Sequence, residues 1–206
     1  YKVHTMSTNE LRNEARRAHT VGDFRRAEEL YRKLLKKTDQ GSDAANFGSL
    51  LRSIGRLEEA ISLYIEWINL FPENLTLRLN AINSAIEKGD TKQSHKWINE
   101  GLLSEPDNLE LQRAKGRTLI REGNFRESLQ ILEPLTIHRP NESGIWMDIS
   151  LALHHMQEWD AALNALNRVL NLNPNEPKAY CNILSIHKAN GDWEKANIVL
   201  KSMNNS

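Results

Sequence analysis

A pattern that returns every 34 residues, six times over, constrains this chain more than any other feature. Small residues at Ala27, Ala60, Ser94, Ser128, Ala162 and Ala196 each open an apolar run, at spacings of 33, 34, 34, 34 and 34. Five residues before each stand Gly22, Gly55, Gly89, Gly123, Gln157 and Gly191. Twelve residues after lie Asp39, Pro72, Pro106, Pro140 and Pro174. Self-similarity at a fixed period of this length marks stacked supersecondary units, each burying its apolar face against its neighbours. Such a chain presents one long surface and no obvious reaction centre.

Each unit reads as two helices. Between Gly55 and Pro72, the apolar residues 57, 60, 61, 63, 64, 67, 68 and 71 follow the three-and-four spacing of a buried helical stripe. Before Gly55, residues Ala44, Phe47, Gly48, Leu50, Leu51 and Ile54 mark a second amphipathic helix. Glycine at the junction permits the positive φ that a helix end favours. Proline stops the second helix, because it lacks an N–H and clashes one turn back. Pro-Glu-Asn74, Pro-Asp-Asn108, Pro-Asn-Glu142 and Pro-Asn-Glu176 then offer caps for the next helix. The expectation is an antiparallel helix pair, repeated.

These residues resemble the tetratricopeptide repeat family over roughly residues 8–203. The family pattern sets a bulky residue early in the first helix of each pair (helix A), here Leu11, Trp146 and Tyr180, with departures at Ala44, Arg78 and Gln112. A small residue follows at Ala15, Gly48, Gly116 and Ser150, replaced by Ile82 and Leu184. An aromatic opens the second helix (helix B) at Phe24, Phe125, Trp159 and Trp193, replaced by Leu57 and Thr91. The resemblance implies an all-α, right-handed superhelical solenoid of six antiparallel helix pairs. It would form a single domain, with repeats at about 8–40, 41–74, 75–108, 109–142, 143–176 and 177–206. Family members usually end in an extra polar helix, whereas this sequence stops at Ser206. The chain is therefore expected to be a module cut from a longer protein, and Tyr1–Thr5 need not be native.

Composition adds bounds. The 27 basic and 27 acidic residues cancel, so bulk attraction to nucleic acid or to an anionic membrane is not expected. No run approaches 18 apolar residues and no signal peptide opens the chain. The single cysteine, Cys181, excludes an internal disulfide framework and suits a reducing, cytoplasmic setting.

No catalytic or metal site is expected and no cofactor is implied. The sequence has no phosphate-binding loop, His-Glu-x-x-His, Cys-x-x-Cys or nucleophile-elbow setting. His154 and His155 are adjacent, so on a helix they point about 100° apart and cannot jointly chelate one ion. His138 and His187 read as ordinary surface or boundary histidines, and Cys181 as a packing or groove residue. Trp67, Trp97, Trp146, Trp159 and Trp193 read as core.

Binding is what remains. In the family's stack the A helices line the concave groove, and the residue two before the small helix-A position projects into it. Here that row reads Asn13, Asn46, Asn80, Ala114, Asp148 and Asn182. An amide offers both donors and acceptors, so such a row can pair with the backbone of an extended peptide. It is similar to the asparagine ladder in the repeat domains of O-linked N-acetylglucosamine transferases. Arg113, Arg117 and Arg121 form one stripe, joined by Arg12, Arg16 and Arg52, and guanidinium forks suit carboxylates. The carboxylate clamp of the chaperone-binding members is not expected. Of Arg12, Arg16, Asn46, Thr76 and Asn80 at the clamp region, only Asn46 matches in kind.

The reading is therefore a non-enzymatic protein-interaction module that holds an extended protein segment, with acidic character as the arginines' expected preference. One alternative is the substrate-recruiting arm of a glycosyltransferase or sulfotransferase. Another is a self-association scaffold pairing through Ile198, Val199 and Met203 of the last repeat.

Overall fold

In a computed structural model that describes residues 6–204, the chain folds into twelve α-helices, with no strand among the described residues. They fall into two compact units, Tyr1–Pro106 and Asp107–Ser206. The first unit holds α1 (Thr8–Thr20), α2 (Phe24–Leu35), α3 (Gly41–Ser53), α4 (Leu57–Leu70), α5 (Leu75–Lys88) and α6 (Thr91–Ser104). The second holds α7 (Leu109–Glu122), α8 (Phe125–His138), α9 (Ser143–His155), α10 (Trp159–Leu172), α11 (Pro177–Ala189) and α12 (Trp193–Asn204). Odd-numbered helices are the A helices of the repeat and even-numbered ones the B helices.

The turn between A and B is built the same way six times. The glycine N–H returns to a carbonyl three residues back, and the next N–H to one five back: Gly22 to His19 (3.1 Å) with Asp23 to Ala18 (2.9 Å), through to Gly191 to Lys188 (3.1 Å) with Asp192 to His187 (2.8 Å). This paired closure satisfies two carbonyls that the helix end leaves open. It demands a left-handed residue, and all five glycines there have φ between 74° and 83°. Gln157 takes the same conformation at φ 62°. A side chain in that region costs roughly 1–2 kcal/mol, so the fifth turn is held by its neighbours rather than by local preference.

Helix B ends where the sequence places proline. The residues before Pro72, Pro106, Pro140 and Pro174 leave the helical region, with φ near −132° to −139° and ψ of 63° to 90°. That is the steric effect of the proline ring on its predecessor. The first repeat carries Asp39 instead, and α2 stops at Leu35 through a helical Lys36. Of the expected caps for the following helix, Asn74 and Asn108 accept from Leu77 N (2.9 Å) and Leu111 N (3.1 Å). Glu142 makes no capping hydrogen bond.

The helices of a pair meet at the small residues. Ala27, Ala60, Ser94, Ser128 and Ala162 are fully buried and Ala196 is 2% exposed. The fit is reciprocal on helix A. A Cβ on Gly48 would lie 2.3 Å from the Tyr64 ring, and one on Gly116 2.6 Å from Leu132. Large side chains of helix B thus occupy space that helix A leaves empty. In the second unit the same B helices also pack forward: Leu129, Leu132 and Leu135 of α8 share a core with Ile145, Ile149 and Ala152 of α9. Ala162, Leu166 and Val169 of α10 do so with Ala179, Ile183 and Ile186 of α11. Each fully buried aliphatic side chain contributes about 1.5–3 kcal/mol, so this interleaving outweighs the exposed ion pairs, worth about 0–1 kcal/mol each.

At the bulky helix-A position Arg78 departs from the pattern in residue type, yet it supplies the same hydrogen bond; the expectation for Trp193 is corrected. Trp146 Nε1 donates to Pro140 O (3.0 Å) and the Tyr180 hydroxyl to Pro174 O (3.0 Å). At the same register, the nearly buried Arg78 donates to Pro72 O (2.8 Å), with further bonds to Trp97 O and Glu100, both at 3.1 Å. Trp193, expected in the core, is 63% exposed, whereas Trp67 and Trp97 are buried. In the same helix Ile198 is 63% exposed, while Val199 packs against the core of the second unit.

Gln157→Gly should relieve the fifth turn and stabilise the second unit by about 0.5–1 kcal/mol, read as a higher urea midpoint; an unchanged or lower midpoint contradicts the strain. Arg78→Met should destabilise the first unit by about 1–3 kcal/mol, because it removes three hydrogen bonds, to Pro72 O, Trp97 O and Glu100, made by a side chain that is 6% exposed. Arg78→Trp should recover part of that loss through Pro72 O; equal losses in the two variants would show that the shared hydrogen bond is unimportant.

Candidate functional site: the A-helix faces

Within the first unit α1 meets α3 and α3 meets α5, and within the second α7 meets α9; no two B helices make comparable contact among the described residues. Among the contacts between repeats, the A helices therefore approach one another more closely than the B helices do. The side chains singled out from sequence lie on these helices: Asn13, Arg12 and Arg16 on α1, Asn46 and Arg52 on α3, Asn80 on α5, Arg113, Arg117 and Arg121 on α7, and Asn182 on α11.

Most of the arginines are occupied. Arg12 grips Asp43 of α3 through Nε (2.7 Å) and Nη2 (2.8 Å), and reaches Asn9 through Nη1 (2.7 Å). Asp43 is fully buried and also accepts from the Thr38 hydroxyl. The hydrogen bond to Asp43, with its charge, raises the Arg12 pKa above the ordinary value. Arg52 pairs with Glu87 of α5 at 3.1 Å. In the second unit Arg113 joins α7 to α9 by Nε to Asp148 (2.7 Å) and Nη1 to Glu142 (2.7 Å), and Arg117 Nε lies 3.8 Å from Asp148. Burial opposes the Arg113 charge, but Asp148 and Glu142 outweigh it and raise its pKa. Burial likewise raises the Asp148 pKa, while Arg113 and Arg117 draw it back. Arg139 adds pairs to Glu110 and Glu142. These groups brace one A helix against the next. Arg16 and Arg121 are exposed and in no ion pair among the described residues.

The asparagines divide differently. Asn13 is exposed and Asn46 half-buried, and the amide of neither makes a hydrogen bond among the described residues. Asn80 donates to Ala45 O at 3.4 Å, a long bond that leaves its oxygen and one N–H uncommitted. Asn182 lies 3.6 Å from Met147 Sδ. Ala114 is buried. The sequence did not single out Asp43, whose role as the buried anchor of Arg12 shows only once α1 and α3 are neighbours. Nor did it single out Leu151, a 39% exposed apolar residue on α9.

The histidines pack on rings. His19 meets Phe24 edge-on (6.2 Å), and His154 meets Trp159 in the same way (5.3 Å), one repeat position shared by both pairs. Burial lowers both histidine pKa values, with His155 adding to the effect at His154. His155 stacks on Phe125 at 4.9 Å. No cluster of three or more His, Cys, Asp or Glu side chains suited to a metal ion occurs among the described residues. No helix among them is long and apolar enough to cross a membrane.

Twelve helices in six like-built pairs define a helical-repeat protein, and the comparisons name its class. The profile of the tetratricopeptide repeat family matches residues 12–74 and 113–177, more than half of the chain. The chain belongs to the tetratricopeptide repeat family. It is 24% identical over 188 residues to the human protein O-mannosyl-transferase TMTC1, a match covering 89% of this chain but only 21% of that protein. Its structure resembles a tetratricopeptide repeat protein from Parabacteroides merdae, with TM-score 0.75 and 18% identity, over 96% of this chain and 79% of the other. It also resembles YrrB, a tetratricopeptide repeat protein with an unusual peptide-binding site, with TM-score 0.53 and 20% identity, over 84% and 89%. At these identities the likeness to the solved structures is one of fold, a fold that serves as a protein-binding repeat module and is typically non-catalytic.

Asp43→Ala should destabilise the first unit by about 2–3 kcal/mol. That is below the 3–5 kcal/mol of a fully buried broken pair, because Arg12 keeps some access to solvent. Urea unfolding at low and at 0.5 M salt checks it. A loss under about 0.5 kcal/mol, or one that disappears in salt, would make the pair a surface contact.

Proposed function

We propose that the chain is a protein-interaction module whose A-helix faces hold an extended protein segment, with Asn13, Asn46 and Asn80 pairing to its backbone. The observation that carries this reading is the state of those amides. In the first unit Asn13 of α1 and Asn46 of α3 keep every donor and acceptor unspent and Asn80 of α5 makes one long bond, while nearby charges are absorbed in the Arg12–Asp43 and Arg52–Glu87 pairs. A face with neutral amides beside arginines that are mostly paired reads the peptide group, which all sequences share, more than side-chain charge. The fold's likeness to a protein with a peptide-binding site supports the same choice. Acidic preference would come from Arg16 and Arg121, the two groove arginines outside the bracing pairs.

The likeness to part of an O-mannosyl-transferase favours one further reading, in which the module recruits substrate for a transferase. That activity would reside in sequence beyond the repeats, since the chain spans about a fifth of that relative.

The triple change Asn13→Ala, Asn46→Ala, Asn80→Ala should weaken every extended ligand by a similar factor, about tenfold or more at roughly 0.5–1.5 kcal/mol per lost bond. Fluorescence anisotropy with ligands recovered by affinity capture measures it, circular dichroism having shown unchanged helicity. Ligands that bind the triple variant as well as the wild type would move the site off this face.

A further inference from the structure

A groove of different character lies between two B helices of the first unit. α2 and α4 each pack on α3 without comparable contact to one another, and a cavity of about 350 Å³ opens between them. Its lining includes Arg32 from α2, Phe47 and Leu51 from α3, and Glu59, Leu63 and Glu66 from α4. That volume stands at the lower end of ligand clefts, which run to about 300–1,000 Å³. Phe47 and Leu51 form a narrow apolar floor, 3% and 2% exposed. Most charge on the walls is already spent. Arg32 is answered by Glu28 (2.8 Å), Glu59 by Arg56 (2.5 Å), and Glu58, on the same wall, by Lys88 (2.6 Å). Glu66 is exposed and in no ion pair among the described residues. The cavity therefore joins an apolar floor to one uncompensated carboxylate. Repeat packing does not require acids here. No other B helix carries an acid at more than one of the registers of Glu58, Glu59 and Glu66; α2 has Arg25, Arg26 and Lys33 there, and α10 has Asp160, Ala161 and Arg168.

We propose that this groove binds an arginine side chain presented by a partner protein, its aliphatic stem lying along Phe47, Leu51 and Leu63 and its guanidinium pairing with Glu66. The chain itself displays the mode. The Arg32 guanidinium stands 5.4 Å over the Phe47 ring while its Nη2 donates to Glu28 (2.8 Å). A guanidinium beside an aromatic floor and a carboxylate is thus already part of this wall. Arginine suits the site better than lysine, because its head is weakly hydrated and can grip a carboxylate with two N–H groups. Its stem covers apolar surface while the head stays near solvent. An acidic side chain is rejected, since it would enter a cavity lined by Glu58, Glu59 and Glu66. The ligand is therefore opposite in charge to one drawn by Arg16 and Arg121, and it leaves Asn13, Asn46 and Asn80 unoccupied.

Amide NMR titration of the isotope-labelled chain tests this with three capped Ser-Ala-Xaa-Ala-Ser peptides, Xaa being arginine, norleucine or glutamate. The arginine probe should shift the amides from Glu59 to Glu66 and bind at least fivefold more tightly than the other two, and raising salt should narrow its lead over norleucine. Glu66→Gln should abolish the preference for arginine over norleucine. Ser62→Trp, at an exposed position on the rim of the cavity, should block the arginine probe while amide shifts elsewhere stay those of the wild type. Asn13→Ala, Asn46→Ala, Asn80→Ala should leave the titration unchanged. Equal binding of the three probes, an arginine preference that survives Glu66→Gln, or binding that survives Ser62→Trp would overturn the inference. So would the absence of any arginine-dependent shift at millimolar concentration. Shifts confined to the amides around Asn13 and Asn80 would also overturn it, and would leave the A-helix reading standing.

Discussion

The close approach of the two helices in each pair is the constraint on which the rest depends. It exists because one helix gives up side-chain volume where the other supplies it: a Cβ on Gly48 would stand 2.3 Å from the Tyr64 ring, and Ala60 opposite is fully buried. Interiors are packed too tightly for such a gap to be improvised. Close pairing then fixes the left-handed turn between the helices strongly enough that Gln157 adopts it at φ 62°. It also frees the forward side of each B helix to build a core with the next A helix, as Leu132 and Leu135 do with Ile145 and Ile149. The outward sides of the A helices carry little of that core, which leaves them available for binding.

Much of this was legible from the chain alone, because volume and backbone freedom leave local marks. A small residue every 34 positions, a glycine five before and a proline twelve after gave the helices and their ends. Asp39 in place of proline even foreshadows the different ending of α2. Chemical equivalence between unlike residues was not legible. A guanidinium at Arg78 satisfies the loop carbonyl that indole and phenol satisfy at Trp146 and Tyr180, which only shared geometry reveals. Trp193 looked like core because it is a large aromatic, yet Phe24 at the same register is also exposed.

Register groups the candidate A-helix residues, but it does not reveal their division of labour. Sequence spacing groups Arg113, Arg117 and Arg121 as one basic stripe, since periodicity reports which side chains share a face and nothing about what lies across from them. Opposite α7 stand Asp148 and Glu142, which turn the first arginine into a brace between helices and draw on the second. Asp43 does the same for Arg12. In the proposed reading, the binding potential that remains belongs to the neutral amides of the first unit and to Arg16 and Arg121, which stand outside the bracing pairs.

Site-specific photo-crosslinking tests most directly whether the A-helix faces do the binding. A benzophenone side chain placed at Ser49 on α3 should capture the same ligand that affinity capture recovers, and one at exposed Ile65 on α4 should not. Capture from Ile65 with none from Ser49 would put the binding surface on the B helices and contradict the account.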